Sequence, residues 1–176
     1  MILKLKLKKT PEEIIEENHH FLVSNLAEEL LEKILQQSPQ FFEKLVIDLL
    51  EKMGYGEGKI TGKSGDGGID GIIYEDKLGL EKVHIQAKRW SPEKKVRSSE
   101  LRDFIGAIDG FHGKKGVFIT TSDFTQDAYA HTPTNINIVR INGKQLAELM
   151  IKYNVGISPK IVYEIKRIDL DYFEED

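Results

Sequence analysis

Asp70, Gln86 and Lys88 place a carboxylate, an amide and an ammonium within one short stretch of chain. Alternate residues of a strand point to the same face, so Gln86 and Lys88 share one side with His84, while Ile85 and Ala87 take the other. If a preceding strand brings Asp70 alongside, three polar groups converge at a sheet edge. One carboxylate with further oxygens and water suits Mg²⁺, a hard cation that keeps much of its hydration shell. A lysine beside such an ion can hold or help activate an attacking water. The glycines of Gly65–Asp66–Gly67–Gly68–Ile69–Asp70–Gly71 permit an unusual turn and close approach of a bulky polyanion. On residue types alone, an ordinary polar edge of a half-exposed hairpin stays open as the alternative.

The elements that would position these groups can be read from periodicity and caps. Met1 to Lys9 alternates apolar residues with lysine, as in a short edge strand or a basic tail. Pro11 to Gln37 is helical, with Thr10 as N-cap and Asn18–His19–His20 as the place where one helix could become two. Ser38 opens a second helix carrying Phe42, Leu45, Val46, Leu49, Leu50 and Met53 on one face, and Gly54 ends it. Tyr55 to Gly68 reads as a glycine-rich loop. A hairpin follows, Ile69–Glu75 and Lys82–Trp90, and then a polar loop to Ser98. Ser99 opens a helix whose face includes Leu101, Phe104, Ile105 and Ile108. Gly116–Thr121 is a buried strand, Thr125–His131 a short helix, Ile136–Ile141 a strand and Gly143–Tyr153 a helix. Lys160–Ile168 alternates again, as an edge strand would. Phe104, Ile108, Phe111 and Phe118 are expected in the core. An early hairpin followed by strand–helix units predicts an α/β fold: a mixed β-sheet covered by helices on both faces.

The chain has 176 residues, with 25 Lys+Arg against 29 Asp+Glu and a net charge of −4. At 40% hydrophobic and 31% charged it is neither a disordered tail nor a membrane protein. With no cysteine, a disulfide scaffold, a thiolate metal site and a cysteine nucleophile are excluded. No G-x-S-x-G elbow and no Walker motif occur. No signal peptide is visible, so a cytoplasmic location with no membrane partner is expected. Mild acidity argues against coating nucleic acid by bulk charge, although the local field is what binding feels. Lys88, Arg89, Lys94, Lys95 and Arg97 lie close together. His19 and His20 lack a third ligand at a spacing that suits zinc.

The segments SPQFFEKLVIDLLEKMGY, TGKSGDGGIDGII, IQAKRW, ELRDFIGAIDGF, GVFITTSDFT and NGKQLAELM follow one another in this order. Together they resemble the catalytic domain of Mrr-type restriction endonucleases, a branch of the PD-(D/E)xK nuclease superfamily. The resemblance implies a restriction-endonuclease-like core and metal-dependent hydrolysis of DNA phosphodiesters, of restriction type, with modified DNA as a candidate substrate. Mg²⁺ is the implied cofactor, with Mn²⁺ as substitute. Asp70 matches the motif aspartate, Gln86 the second position, Lys88 the motif lysine and Glu43 an acidic position near the metal. Asp70, Gln86 and the main chain at Ala87 would be the metal ligands. A neutral Gln where the wider superfamily has Glu or Asp removes a charge and should weaken metal affinity.

The resemblance divides the chain into an N-terminal strand or tail with a helical extension (1–37), a nuclease domain (38–157) and a C-terminal strand with an acidic tail (158–176). Arg89, Lys94, Lys95, Arg97 and Lys63 are the expected contacts to double-stranded DNA. Trp90 is expected to pack beneath the loop, and Thr120–Thr121–Ser122 to cap the following helix. Longer family members carry an upstream winged-helix module that reads DNA, and 1–37 is too short for one. Either a separate partner supplies DNA reading, or the sequence is a fragment or a reduced form. Cutting both strands needs two active sites, hence a homodimer, with the two terminal alternating segments paired within one chain or between subunits. Two other readings remain: a non-catalytic DNA-binding or assembly module on this fold, and a nuclease that resolves Holliday junctions.

Overall fold

The computed structural model describes residues 9–61, 68–131, 133 and 135–174. The first element is one helix, α1 (Pro11–Leu35). Thr10 and Glu13 close its start reciprocally, the Glu13 carboxylate accepting from the Thr10 N–H at 2.8 Å. The polar Asn18–His20 patch does not break the helix. Asn18 Nδ2 donates to the Ile14 carbonyl one turn back, which satisfies the side chain without disturbing the ladder. The second helix, α2 (Pro39–Lys52), is capped by the Ser38 hydroxyl, which accepts from the Phe41 N–H. Gly54, at φ 87°, lets the chain leave it.

Five strands form one sheet: β1 (Glu57–Ile60), β2 (Gly71–Tyr74), β3 (Lys82–Lys88), β4 (Lys115–Thr120) and β5 (Asn137–Ile141), in that order. β1, β2 and β3 pair antiparallel; β3, β4 and β5 pair parallel. The parallel strands require crossovers, supplied by α3 (Ser98–Gly110) and α4 (Gln126–Ala130), and α5 (Gly143–Lys152) follows β5. On one face Val83, Ile85 and Ala87 of β3 pack with α2, α5 and the last turns of α1, where Leu30 and Ile34 are buried. On the other, Phe118 of β4 meets Phe104 of α3 and Phe124 edge-on, at ring-centroid distances of 5.5 and 5.6 Å. This is the expected mixed sheet between helices.

Three expectations need correction. The stretch from Tyr55 to Gly68 is not all loop, because β1 lies inside it. β1 is a short outer strand with little burial, so no apolar alternation marks it. Its place is fixed by pairing to β2 and by the Glu51 carboxylate, which accepts from the Gly58 N–H. Lys160–Ile168 pairs with nothing among the described residues, and Ile161, Tyr163, Ile165 and Ile168 are exposed. Phe111 is 57% exposed, because it sits past the end of α3 where His112 turns the chain at φ 55°. The terminal alternation before Lys9, residues 1–8, lies outside the described residues. No described helix is long and apolar enough to cross a membrane.

The Phe118 side chain joins α3 and the Phe124 segment that leads into α4 to the central sheet. Phe118→Ala is expected to cost about 3–5 kcal/mol of stability, read as a lower urea midpoint with an unchanged slope.

Candidate active site

The hairpin register decides whether the site exists. Gly71 pairs with Ile85, so Asp70, the residue before β2, falls opposite Gln86. The Asp70 N–H donates to the Ile85 carbonyl at 2.8 Å. Its carboxylate Oδ2 accepts from the Ala87 N–H, also at 2.8 Å. Asp70 is thereby held by main chain from both directions, at the point where β2 starts and β3 ends. β3 is the central strand of the sheet, so the polar groups gather at the end of a middle strand and not along an outer one.

Burial pushes the Asp70 carboxyl above its ordinary value, against the opposing pull of the Ala87 N–H and the Lys88 ammonium. Glu43, on the first turns of α2, is raised by burial and next by the charge of Asp70, while Lys88 lowers it. Asp70, Glu43 and Lys88 thus bear on one another's charge. Two partly desolvated carboxylates against one ammonium leave local negative charge, which a cation would neutralise.

Gln86 is buried, and its Oε1 has no hydrogen-bond partner among the described residues. An unsatisfied buried oxygen is costly and marks a position for a donor or a cation. Gly68, at φ 92°, explains how the amide fits. A Cβ there would stand 2.6 Å from Gln86 Nε2, and the left-handed backbone itself favours glycine. Asp70, Gln86 Oε1 and Glu43 thus offer hard oxygen donors of the kind Mg²⁺ takes. Among the described residues no group of three or more His, Cys, Asp or Glu stands together, so a metal here depends on amide and carbonyl oxygens.

The basic residues divide. Arg89 is drawn into the scaffold: its Nη1 donates to the Leu35 carbonyl at the end of α1, at 2.6 Å. Lys94 lies over the Trp90 ring, 3.7 Å from its centroid, and Trp90 packs against the α3-side core. Lys95 pairs with Asp123 at 3.4 Å in an exposed geometry worth little. Lys94, Lys95 and Arg97 line one surface groove with Glu93, Glu100 and Thr125. Lys63 and Asp66 lie outside the described residues. His84 is buried, with Nδ1 3.4 Å from the Lys115 carbonyl, and burial lowers its pKa. It is a packed strand residue.

Thr120, Thr121 and Ser122 do not cap α4. They bond sideways to the chain that leaves β3: Thr120 to the Lys88 carbonyl, Thr121 to that of Trp90 and Ser122 to that of Pro92. The sequence signal is three consecutive hydroxyls where a buried strand ends. Their bonding partners depend on a parallel pairing that sequence does not display.

Comparison with known proteins agrees with this geometry. Residues 34–150 match the family model Mrr_cat, described as a restriction endonuclease. Over 171 residues the chain is 43% identical to the Type IV methyl-directed restriction enzyme EcoKMrr of Escherichia coli (strain K12), covering 95% of this chain and 55% of that protein. Among solved structures it is similar to the DNA modification-dependent restriction endonuclease AspBHI, with a TM-score of 0.60 and 21% identity over 86% of this chain and 38% of that one. It is also similar to the MspJI restriction endonuclease in complex with a 27-mer oligonucleotide, with a TM-score of 0.57 and 26% identity over 76% of this chain and 33% of that one. The first of these two likenesses shows the fold alone. The chain spans about half the length of the curated relative that it matches.

A carboxyl whose pKa rises on folding favours the folded state most at low pH, and that contribution is lost as pH climbs through the raised value. Asp70→Asn keeps an acceptor for Ala87 and removes the charge. The metal-free variant is therefore expected to melt above wild type at neutral pH, with the gap closing towards about pH 4. A variant that melts below wild type at neutral pH would contradict the electrostatic account.

Proposed function

The chain belongs to the Mrr_cat family of restriction endonucleases, and from that premise we propose that it is a metal-dependent endonuclease hydrolysing phosphodiester bonds of modified double-stranded DNA. The observation that carries the reading is Asp70, Lys88 and Gln86 Oε1, the last without a hydrogen-bond partner among the described residues, lying where β2 begins and β3 ends. The methyl-directed description of the relative EcoKMrr supports modified DNA as substrate. In this reading Mg²⁺, or Mn²⁺ in its place, is held by Asp70, Gln86 Oε1 and the Ala87 carbonyl, with Glu43 or water completing the set.

Bound there, such a cation would supply polarisation of a phosphoryl oxygen and a lowered pKa for the attacking water. Lys88 orients the attacking water and offsets negative charge that grows as the P–O bond breaks. Asp70 keeps its carboxylate aimed through the Ala87 N–H. Gln86 contributes an oxygen without a charge, which limits metal affinity and leaves Glu43 a larger share of the neutralisation. Lys94, Lys95 and Arg97 contact backbone phosphates from their shared groove, and Lys63 is a further candidate contact. Arg89 serves α1 instead. Base recognition belongs to a separate DNA-reading module, and cleavage of both strands to a homodimer on DNA.

Plasmid DNA methylated at cytosine and adenine, incubated with the chain and Mg²⁺ or Mn²⁺, is expected to be nicked or linearised, and a chelator to stop the reaction. Lys88→Ala is expected to lose cleavage by about 10²–10³-fold or more while its melting temperature and DNA binding stay close to wild type. Asp70→Asn is expected to lose cleavage and metal affinity together. DNA binding without metal-dependent nicking would instead make the chain a non-catalytic module.

A further inference from the structure

Lys88 ends β3, and its ammonium would be only as well placed as the main chain beneath it. That main chain is anchored at one atom. The Lys88 carbonyl accepts from the Thr120 hydroxyl at 2.8 Å, from the Trp90 N–H at 3.0 Å and from the Thr121 N–H at 3.2 Å. Thr120 is fully buried, and its hydroxyl has little freedom to point elsewhere. The Oγ1 accepts from the Ser122 N–H at 3.1 Å, which leaves its single proton for Lys88. The next hydroxyls repeat the pattern on alternate carbonyls: Thr121 to Trp90 at 2.7 Å and Ser122 to Pro92 at 3.3 Å.

The reason for hydroxyls here is geometric. The regular β3–β4 ladder ends at the Lys88–Thr120 pair. Beyond it the chain bends, with the Trp90 N–H turned back to Lys88. The Thr121 N–H gives the Lys88 carbonyl the last backbone bond from this side; the Thr120 hydroxyl adds a second donor to it, and the Thr121 and Ser122 hydroxyls reach the carbonyls of Trp90 and Pro92 that the bend presents. We infer that Thr120 is a positioning residue for the Lys88 ammonium, and that Thr121 holds the loop carrying Lys94, Lys95 and Arg97 against DNA. The inference rests on the nuclease reading given above.

The two roles separate in steady-state cleavage of methylated plasmid with Mg²⁺. Thr120→Val keeps the shape and removes the proton, and is expected to lower kcat about 10- to 100-fold, as a small misplacement near the chemistry does, with KM unchanged. Thr120→Ser restores the hydroxyl and is expected to recover at least a third of the lost rate. Thr121→Val is expected to raise KM several-fold, more at higher salt, with kcat within about twofold. Each variant is assayed well below its own melting temperature. If Thr120→Val does not fold, Thr120→Ala takes its place. Wild-type kcat in a folded hydroxyl-free variant, or equal impairment of the Ser and Val variants, would overturn the assignment of Thr120 alone. A wild-type chain that shows no metal-dependent cleavage overturns the nuclease reading itself, and this inference with it.

Discussion

A single bond organises the centre of this molecule: the Ala87 N–H donated to the Asp70 carboxylate. It locks the hairpin in the register that sets Asp70 opposite Gln86, and a shift by one residue would turn every side chain of the strand to the wrong face. In that register the apolar residues Val83, Ile85 and Ala87 enter one core layer, while His84, Gln86 and Lys88 take the other face. Core formation and site assembly are thus decided by the same alignment. The aromatic cluster around Phe118 and the α2 face each presuppose it.

The site works against the stability of the fold that holds it. Gln86 Oε1 is buried without a donor among the described residues, and both carboxyls are raised by desolvation. An apolar substitute would cost less than any of these. Unsatisfied oxygen beside like charge is the arrangement that the proposed cation site calls for. The surrounding scaffold offsets the cost with fully buried packing on both faces of the sheet.

Much of this was legible in the residues. Capping signals at Thr10 and Ser38, the hydrophobic faces of α2 and α3, and the alternation of β3 each follow local rules, and each element formed where it was expected. The site residues could be chosen because strand periodicity alone puts Gln86 and Lys88 on one side. What stayed hidden was non-local. β1 has no alternation of its own and exists through its partner, and Lys160–Ile168 alternates without one. Arg89 read as a phosphate contact because nothing nearby in sequence shows that the end of α1 presents its carbonyl there. The hydroxyl run after β4 read as a helix cap for the same reason.

Arg89 follows Lys88 directly in the chain, and its guanidinium grips the terminal carbonyl of α1. The helix has 25 residues, about 37 Å at ~1.5 Å per residue, and only its last turns are buried in the core. It is therefore a stiff rod clamped at one end, with the clamp one residue from Lys88. Torque applied to the far end of that rod would bear first on the chain segment that carries Arg89.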